Sequence, residues 1–363
     1  MTAQHLPLIS PIALKPGDTI GVFTPSSPAY LANPGLFENG IRNLERLGFR
    51  VRLGRVTEAR SSQGYRSAGP EDRAQELMEL IEAPEVRGLI STIGGMNSNS
   101  LIPSLDFGKI RASRKIICGF SDVTSLHLAI LKHARLRTFY GPSLMCWLGE
   151  WPHGISESTE WLLDAVMRHT SGVRTVTPPS RWSNHRRNWA NDDWKVVPRE
   201  WQPQPGWRVL REGDITAPLV AFNLNTLVAS AGTPEWPDLV GRILLIEEMA
   251  CPMSRFERSL RQLERIGVFD QIEALLVGKP EDPNAEGAPF DRDELLKEIL
   301  GDRLSKLPVM TEVDCGHTVP MITLPQEVRV RARLVSDSPV LEFLEAGVET
   351  GGNPTGQLHT RAL

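Results

Sequence analysis

Cysteine and tyrosine are scarce in this 363-residue sequence, with four of the first and three of the second. Cys118, Cys146, Cys251 and Cys315 lie far apart and form no C-x-x-C, so neither a disulfide framework nor a zinc knuckle is suggested. No apolar run approaches the ~18–20 residues needed to cross a bilayer, so no membrane contact is expected. The start, "MTAQHLPLISPIALKPGD", has no charged stretch followed by an apolar one. It does not read as a signal peptide, and a cytoplasmic location is expected. Net charge is -4 without a long basic run, which argues against nucleic acid as a main partner. There is no P-loop and no G-x-G-x-x-G after a strand. His127, His133, His153, His169, His185 and His359 have no H-E-x-x-H or comparable spacing. Kinase-like, dinucleotide-dependent and metal-dependent chemistry are therefore not expected, and neither a cofactor nor a metal is called for.

What is present is a globular composition, 40% hydrophobic and 23% charged, in a chain too long for one ordinary core. Up to about residue 170 strands and helices alternate. "DTIGVFTPSSP" (Asp18–Pro28), "RVRLG" (Arg50–Gly54) and "VRGLISTIGG" (Val86–Gly95) read as strands. "LFENGIRNLERLGF" (Leu36–Phe49) and "PEDRAQELMELIEA" (Pro70–Ala83) read as helices. That alternation predicts an α/β fold with a doubly wound parallel sheet over residues 1–170. Residues 171–207 are rich in Pro, Asn and Arg and carry Trp182, Trp189, Trp194, Trp201 and Trp207. So many tryptophans argue against disorder, and the segment reads as an ordered insertion between domains. Residues 208–363 hold several strands, such as "GRILLIEE" (Gly241–Glu248) and "EVRVRARLV" (Glu327–Val335), around one amphipathic helix at Ser254–Phe269. A smaller, β-rich C-terminal domain is expected there.

Three reactive side chains stand at the ends of apolar strands, where α/β folds place their chemistry. Ser121 follows "KIICGF", Glu247 ends "ILLIE", and His317 follows "PVMTEVDCG". A serine nucleophile needs a base, and the base needs an orienting carboxylate. Ser121 could equally be a helix N-cap, since "GFSD" opens a helical pattern. In either case the Asp122 N–H would lie at the positive helix end, suited to an oxyanion. Gly94 and Gly95 could supply a second N–H, or could simply make a tight turn. Glu247, on a strand too apolar to be solvated, needs a partner. Strand alternation makes Glu248 its exposed neighbour.

In this order and spacing, "LKPGDTIGVFTPSSP", "GGMNSNSLIPSLDF", "CGFSDVTSLHLAI", "TFYGPSLM", "GTPEWPDLVGRILLIEE" and "CGHTVPMITLP" carry a resemblance through nearly the whole chain. The sequence resembles the LD-carboxypeptidase family of serine peptidases, and within it the microcin-immunity branch. The resemblance implies an active site between an α/β domain and a β-rich one, no cofactor, and a homodimer. It implies a triad of Ser121, Glu247 and His317, with the Gly95 and Asp122 N–H groups as oxyanion donors. Two features depart from the family: Glu247-Glu248 replaces the usual Glu-Asp, and "LVAFNLNTL" (Leu219–Leu227) keeps only Asn223 of a Gly-Gly-Asn stretch.

The resemblance leaves two substrates. One is the terminal D-alanine of a murein tetrapeptide. The other is the amide of a peptidyl- or aminoacyl-nucleotide antibiotic, whose cleavage gives self-immunity. A Trp-rich segment favours the second, because aromatic rings stack on nucleobases with ~1–3 kcal/mol per base. Gly94, Asn97, Trp182, Trp189, Arg186 and Asn223 are the candidate substrate contacts, with Arg187 and Arg199 as further candidates for a phosphate. A non-catalytic small-molecule binding protein using the interdomain cleft is the third possibility.

Overall fold

The computed structural model describes residues 6–168, 172–185, 187–189, 191, 193–282 and 284–351. Strands β1 (Thr19–Phe23), β2 (Arg50–Leu53), β3 (Val86–Ser91), β4 (Ile116–Gly119) and β5 (Phe139–Tyr140) form a parallel sheet in the order β2-β1-β3-β4-β5. Every residue of β1 and β4 is buried, so both sheet faces need cover. One face is covered by the helix Pro34–Arg46, which buries Leu36, Phe37 and Leu44. Asn33 caps that helix by accepting from the Leu36 N–H at 2.8 Å. The opposite face is covered by Pro70–Glu82 through Leu77, Leu80 and Ile81. This is the doubly wound arrangement, and its strand order reverses between β1 and β3. Ligands bind outside the carboxyl ends of strands at such a switch point.

The second sheet has eight strands: β6 (Arg174–Val176), β9 (Arg208–Arg211), β10 (Gly213–Asn223), β11 (Ile243–Glu247), β12 (Ala274–Gly278), β13 (Val309–Val313), β15 (Val328–Leu334) and β16 (Val340–Phe343). Strands β7 (Arg181–Trp182) and β8 (Gln202–Pro203) make a separate two-stranded ribbon. The second domain is strand-rich, yet β10 to β13 run parallel to one another, so it too is α/β in character. Its helices Met253–Arg265 and Arg292–Leu300 pack on one face through Leu260, Leu263, Leu295 and Ile299. The other face meets Phe120 and Tyr140 of the first domain.

The chain then ties the two sheets together. After β13 it crosses to the first sheet, where β14 (Leu324–Pro325) adds antiparallel to β5. It returns as β15, whose strict in-out alternation buries Val328, Val330, Ala332 and Leu334. The loop carrying His317 is thus anchored in both sheets. The Trp-rich segment is fastened to that loop, with Ser183 and Val319 exchanging N–H···O bonds of 2.8 and 3.0 Å.

Candidate active site

Ser121 does not act as a helix cap. It is the first residue of a 3-10 turn, Ser121–Val123, and neither that turn nor the helix Thr124–Ala129 is capped by a side chain. Its backbone φ is +61°, a left-handed conformation that costs a non-glycine residue roughly 1–2 kcal/mol. A serine held there is strained in the way nucleophiles on strand-to-helix turns are. The strain aims the hydroxyl into a cavity of about 690 Å³, which Ser121 and His317 both line. Gly94 explains how the neighbouring loop comes so close. A Cβ there would stand 3.1 Å from Ser121 Cβ and 3.3 Å from the Asp122 nitrogen. The loop that carries Gly95 therefore lies directly against Ser121 and the start of its helix.

That loop is held by side chains rather than by regular structure. Asp122 Oδ2 accepts from the Asn97 and Ser98 N–H groups, both at 2.9 Å. Ser26 Oγ accepts from the Met96 and Asn97 N–H groups at 3.1 and 3.2 Å. Buried Arg73 donates to Asn97 Oδ1 at 2.5 Å. Asn97 is therefore turned toward Arg73 and braces the loop; it is not one of the residues that line the cavity. Gly94 and Gly95 do line it.

Glu247 ends β11 and is buried, and its Oε2 accepts from His317 Nδ1 at 2.7 Å. That bond leaves Nε2 as the free face of the ring. Gly316 makes the contact possible, since its φ is +128° and a Cβ would fall 2.4 Å from Glu247 Oε2. Burial alone would push the His317 pKa down. The charge of Glu247 and the hydrogen bond to it outweigh burial, and the net shift is upward from 6.5. The triad that the resemblance implies is two-thirds assembled: His317 and Glu247 are paired, and no hydrogen bond joins Ser121 Oγ to His317 among the described residues. Such contacts often tighten only when substrate binds.

Two further groups hold Glu247, and the sequence pattern points to only one of them. Tyr140, at the end of β5, donates its hydroxyl to Glu247 Oε1 at 2.5 Å and accepts the Ser121 N–H at 3.1 Å. It links the Ser121 backbone to the Glu247 carboxylate across the domain boundary. Burial and the Glu247 charge drive its pKa well upward, which keeps it a donor. The one available signal is a rare tyrosine in "TFYGPSLM" at a strand end. Tyr140→Phe is expected to lower kcat by about 10- to 100-fold with little change in KM, because two buried polar groups lose a partner. It should also move the acid limb of the pH–rate profile upward, since Glu247 loses a donor and holds the imidazolium more strongly. A kcat loss with an unshifted limb would count against this role.

Asn223 is the second group. It sits beside Glu247 in the parallel register of β10 and β11 and donates to Oε1 at 3.1 Å. It also caps its own helix by accepting from the Thr226 N–H. It supports the carboxylate rather than forming a wall of the cavity. Glu248 is not the exposed neighbour that alternation suggested. The strand has ended at Glu247, and Glu248 turns inward to accept from the Asn225 N–H at 2.9 Å. Burial, then the charge of Glu247, raises its pKa.

The tryptophans divide by place. Trp189 lines the cavity, as do Arg187 and Arg199. Trp182 does not; its ring lies 4.5 Å from the Lys279 ammonium. Trp194 is buried in the first domain, and Trp207 is buried in the second, donating to Asp314. Trp201 stacks under Arg181. Arg186 lies outside the described residues. No helix among the described residues is long and apolar enough to cross a membrane.

Comparison with known proteins decides the family. Residues 20–141 match the LD-carboxypeptidase N-terminal domain and residues 216–332 match its C-terminal domain. The chain belongs to the LD-carboxypeptidase family. It is therefore a peptidase-type hydrolase, which sets aside the non-catalytic binding protein. Among its relatives is the microcin C7 self-immunity protein of Escherichia coli, 36% identical over 91% of this chain and 94% of that one. A putative carboxypeptidase of Vibrio cholerae is 37% identical over 87% of this chain and 92% of that one. The solved structure of the microcin C7 self-immunity protein in complex with aspartyl sulfamoyl adenosine superposes with a TM-score of 0.88 at 33% identity, covering 94% of this chain and all of that one. Muramoyltetrapeptide carboxypeptidase from Oxalobacter formigenes gives 0.72 at 25% identity, covering 92% and 100%. The family's two-domain α/β fold is the one described above.

Proposed function

We propose that this LD-carboxypeptidase relative is a Ser121-Glu247-His317 hydrolase that cleaves the amide joining an aminoacyl or peptidyl group to a nucleotide-like leaving group, as a self-immunity enzyme does. The observation that carries this reading is the cavity. At about 690 Å³ it has room for a nucleoside, and Trp189 of the Trp-rich segment lines it together with Ser121 and His317. The likeness to a relative solved with aspartyl sulfamoyl adenosine supports it.

In the mechanism His317, oriented by Glu247 through Nδ1, takes the Ser121 hydroxyl proton at Nε2. Ser121 Oγ attacks the carbonyl carbon, and the Gly95 and Asp122 N–H groups hold the resulting oxyanion. The C–N bond breaks as His317 returns the proton to the leaving nitrogen. Water, deprotonated by the same imidazole, then releases the acyl group from Ser121. Only neutral His317 can start this sequence, and its pKa is raised. Activity should therefore be absent at low pH and appear as pH climbs through a value above 6.5; a kcat/KM acid limb at or below 6.5 would contradict the His317–Glu247 pairing.

Release of D-alanine from a murein tetrapeptide is the second reading. It is favoured by the two arginines in the cavity wall, which could meet a terminal carboxylate. A paired assay decides: the pure protein is offered aspartyl sulfamoyl adenosine and a murein tetrapeptide. Turnover of the sulfamoyl adenosine is expected, and turnover of the tetrapeptide alone would overturn the choice. The proposal takes the protein as a cytoplasmic homodimer, which sedimentation and fractionation test.

A further inference from the structure

One end of the cavity is built from donors. Glu150 is buried there between two buried guanidinium groups. Arg199 binds it with two nitrogens, Nε to Oε1 at 3.2 Å and Nη2 to Oε2 at 3.1 Å, and Arg187 Nη1 donates to Oε1 at 2.6 Å. Two cations against one carboxylate leave this cluster with one surplus positive charge, while Glu281 lines the same cavity as a second carboxylate. The remaining bonds of these arginines go to the His185, Asp193 and Val197 carbonyls, which add no charge.

Two donors in the same wall are unused. Arg187 is 9% exposed and its Nε–H is buried with no hydrogen-bond partner among the described residues. The Trp147 Nε1–H is buried in the same condition. Both residues line the cavity, and neither group can accept a hydrogen bond. Unmet buried donors are costly, roughly 1–3 kcal/mol each, and call for an explanation. Trp147 is also held at φ +76°, a strained conformation of the kind that collects at ligand clamps. The group lies along the wall from the triad: His317 packs on Phe120 at 4.9 Å, Phe120 on Trp147 at 6.3 Å, and Trp147 lies under Arg199 at 5.9 Å.

We propose that Arg187, Arg199 and the Trp147 indole N–H form an oxyanion-binding subsite that holds a phosphoryl, sulfamoyl or carboxylate group of the substrate. The proposal rests on the hydrolase reading above, because it places the anion in the cavity that Ser121 serves. Glu150 sets the strength of the subsite by cancelling one of the two cationic charges. Its place beside the Trp189 wall suits an anion carried by a nucleoside, and the carboxylate of a peptide has the same chemistry.

The test is a pair of affinity ratios measured by calorimetry on the full chain. One arm compares AMP with adenosine. The other compares a murein tetrapeptide with its C-terminal carboxamide, using Ser121→Ala to prevent turnover. A ratio of about tenfold or more is expected in one arm, as charge-assisted hydrogen bonds give; the arm that shows it identifies the source of the anion. Arg199→Gln leaves Glu150 paired one-to-one with Arg187, so it should fold normally while bringing that ratio to about one. Trp147→Phe keeps an aromatic ring without the indole N–H and should reduce the ratio about threefold or more. Glu150→Gln should raise it, a change in the opposite direction that a loss of folding cannot imitate. Ratios near one in both arms of the unmodified protein, or a ratio that survives Arg199→Gln in a normally melting protein, would overturn the subsite. Hydrolysis of aspartyl sulfamoyl adenosine is scored separately. If it proceeds while both ratios are flat, the subsite falls and the hydrolase reading stands. If the ratio is large and no aspartyl sulfamoyl adenosine is hydrolysed, the proposed nucleotide-amide substrate falls and the subsite stands.

Discussion

Ser121→Ala is expected to lower kcat by about 10⁴- to 10⁶-fold while the protein folds and binds ligand as before. The magnitude follows from the role. Without Oγ there is no acyl intermediate, and what remains is the oxyanion loop and substrate binding alone. The fold should be indifferent because Ser121 Oγ makes no hydrogen bond with any described residue, and its backbone N–H is held by Tyr140 whatever the side chain. Melting within about 0.5 kcal/mol of the parent is expected. Ser121→Gly refines the argument. It removes the same oxygen and also the left-handed strain at φ +61°, so it should be equally inactive and melt no lower than the alanine variant. Single-turnover kinetics on both, beside a melting curve, make the check. Substantial turnover by either variant removes the proposed nucleophile.

Glu247→Gln is expected to lower kcat by about 10⁴-fold, the second-largest effect. The glutamine amide is nearly the shape of the carboxylate, so Tyr140 and Asn223 can still reach it. What is lost is charge. Glu247 is the main reason that the His317 pKa rises against the opposing effect of burial. With the charge gone burial prevails, so the pKa should fall below its usual value and the acid limb of the residual activity should move to lower pH. The glutamine can also offer its amide nitrogen to Nδ1, which favours the wrong ring tautomer. Glu248 cannot substitute, because it is turned toward Asn223, Asn225 and Met249. A kcat loss without a downward limb shift, read from the pH–rate profile or from the histidine resonance, would mean that Glu247 acts on the fold and not on His317.

Much of the site is legible in the amino-acid sequence. "GFSD", "LLIEE" and "CGHT" each put a reactive side chain where an apolar strand stops, and strand ends are where side chains leave the core. What local sequence does not resolve is whether Ser121 caps a helix. The two roles use the same residue types, and they differ in one backbone torsion that depends on Tyr140 and the Gly94 loop packing around it. Tyr140 itself is marked in the sequence only as a rare tyrosine at a strand end. It is 107 residues from Glu247 in the chain, and the contact forms only where the two sheets pack together. Glu248 shows the opposite failure: alternation extends one residue beyond the strand that justifies it.

The five tryptophans of the insertion show the same limit. Composition argues against disorder in the segment, since that much aromatic surface needs burial. It does not say that Trp194 and Trp207 enter two different cores while Trp189 faces the cavity. By itself the sequence determined the family and the doubly wound first domain, and it named the three candidate chemical groups, because these are written in local pattern and order. Tertiary structure alone decided what surrounds them: the strain at Ser121, the Tyr140 link, and two arginines sharing one glutamate in the cavity wall. Those depend on contacts between residues distant in sequence, and no local pattern carries the free energy of a contact that the chain must fold to make.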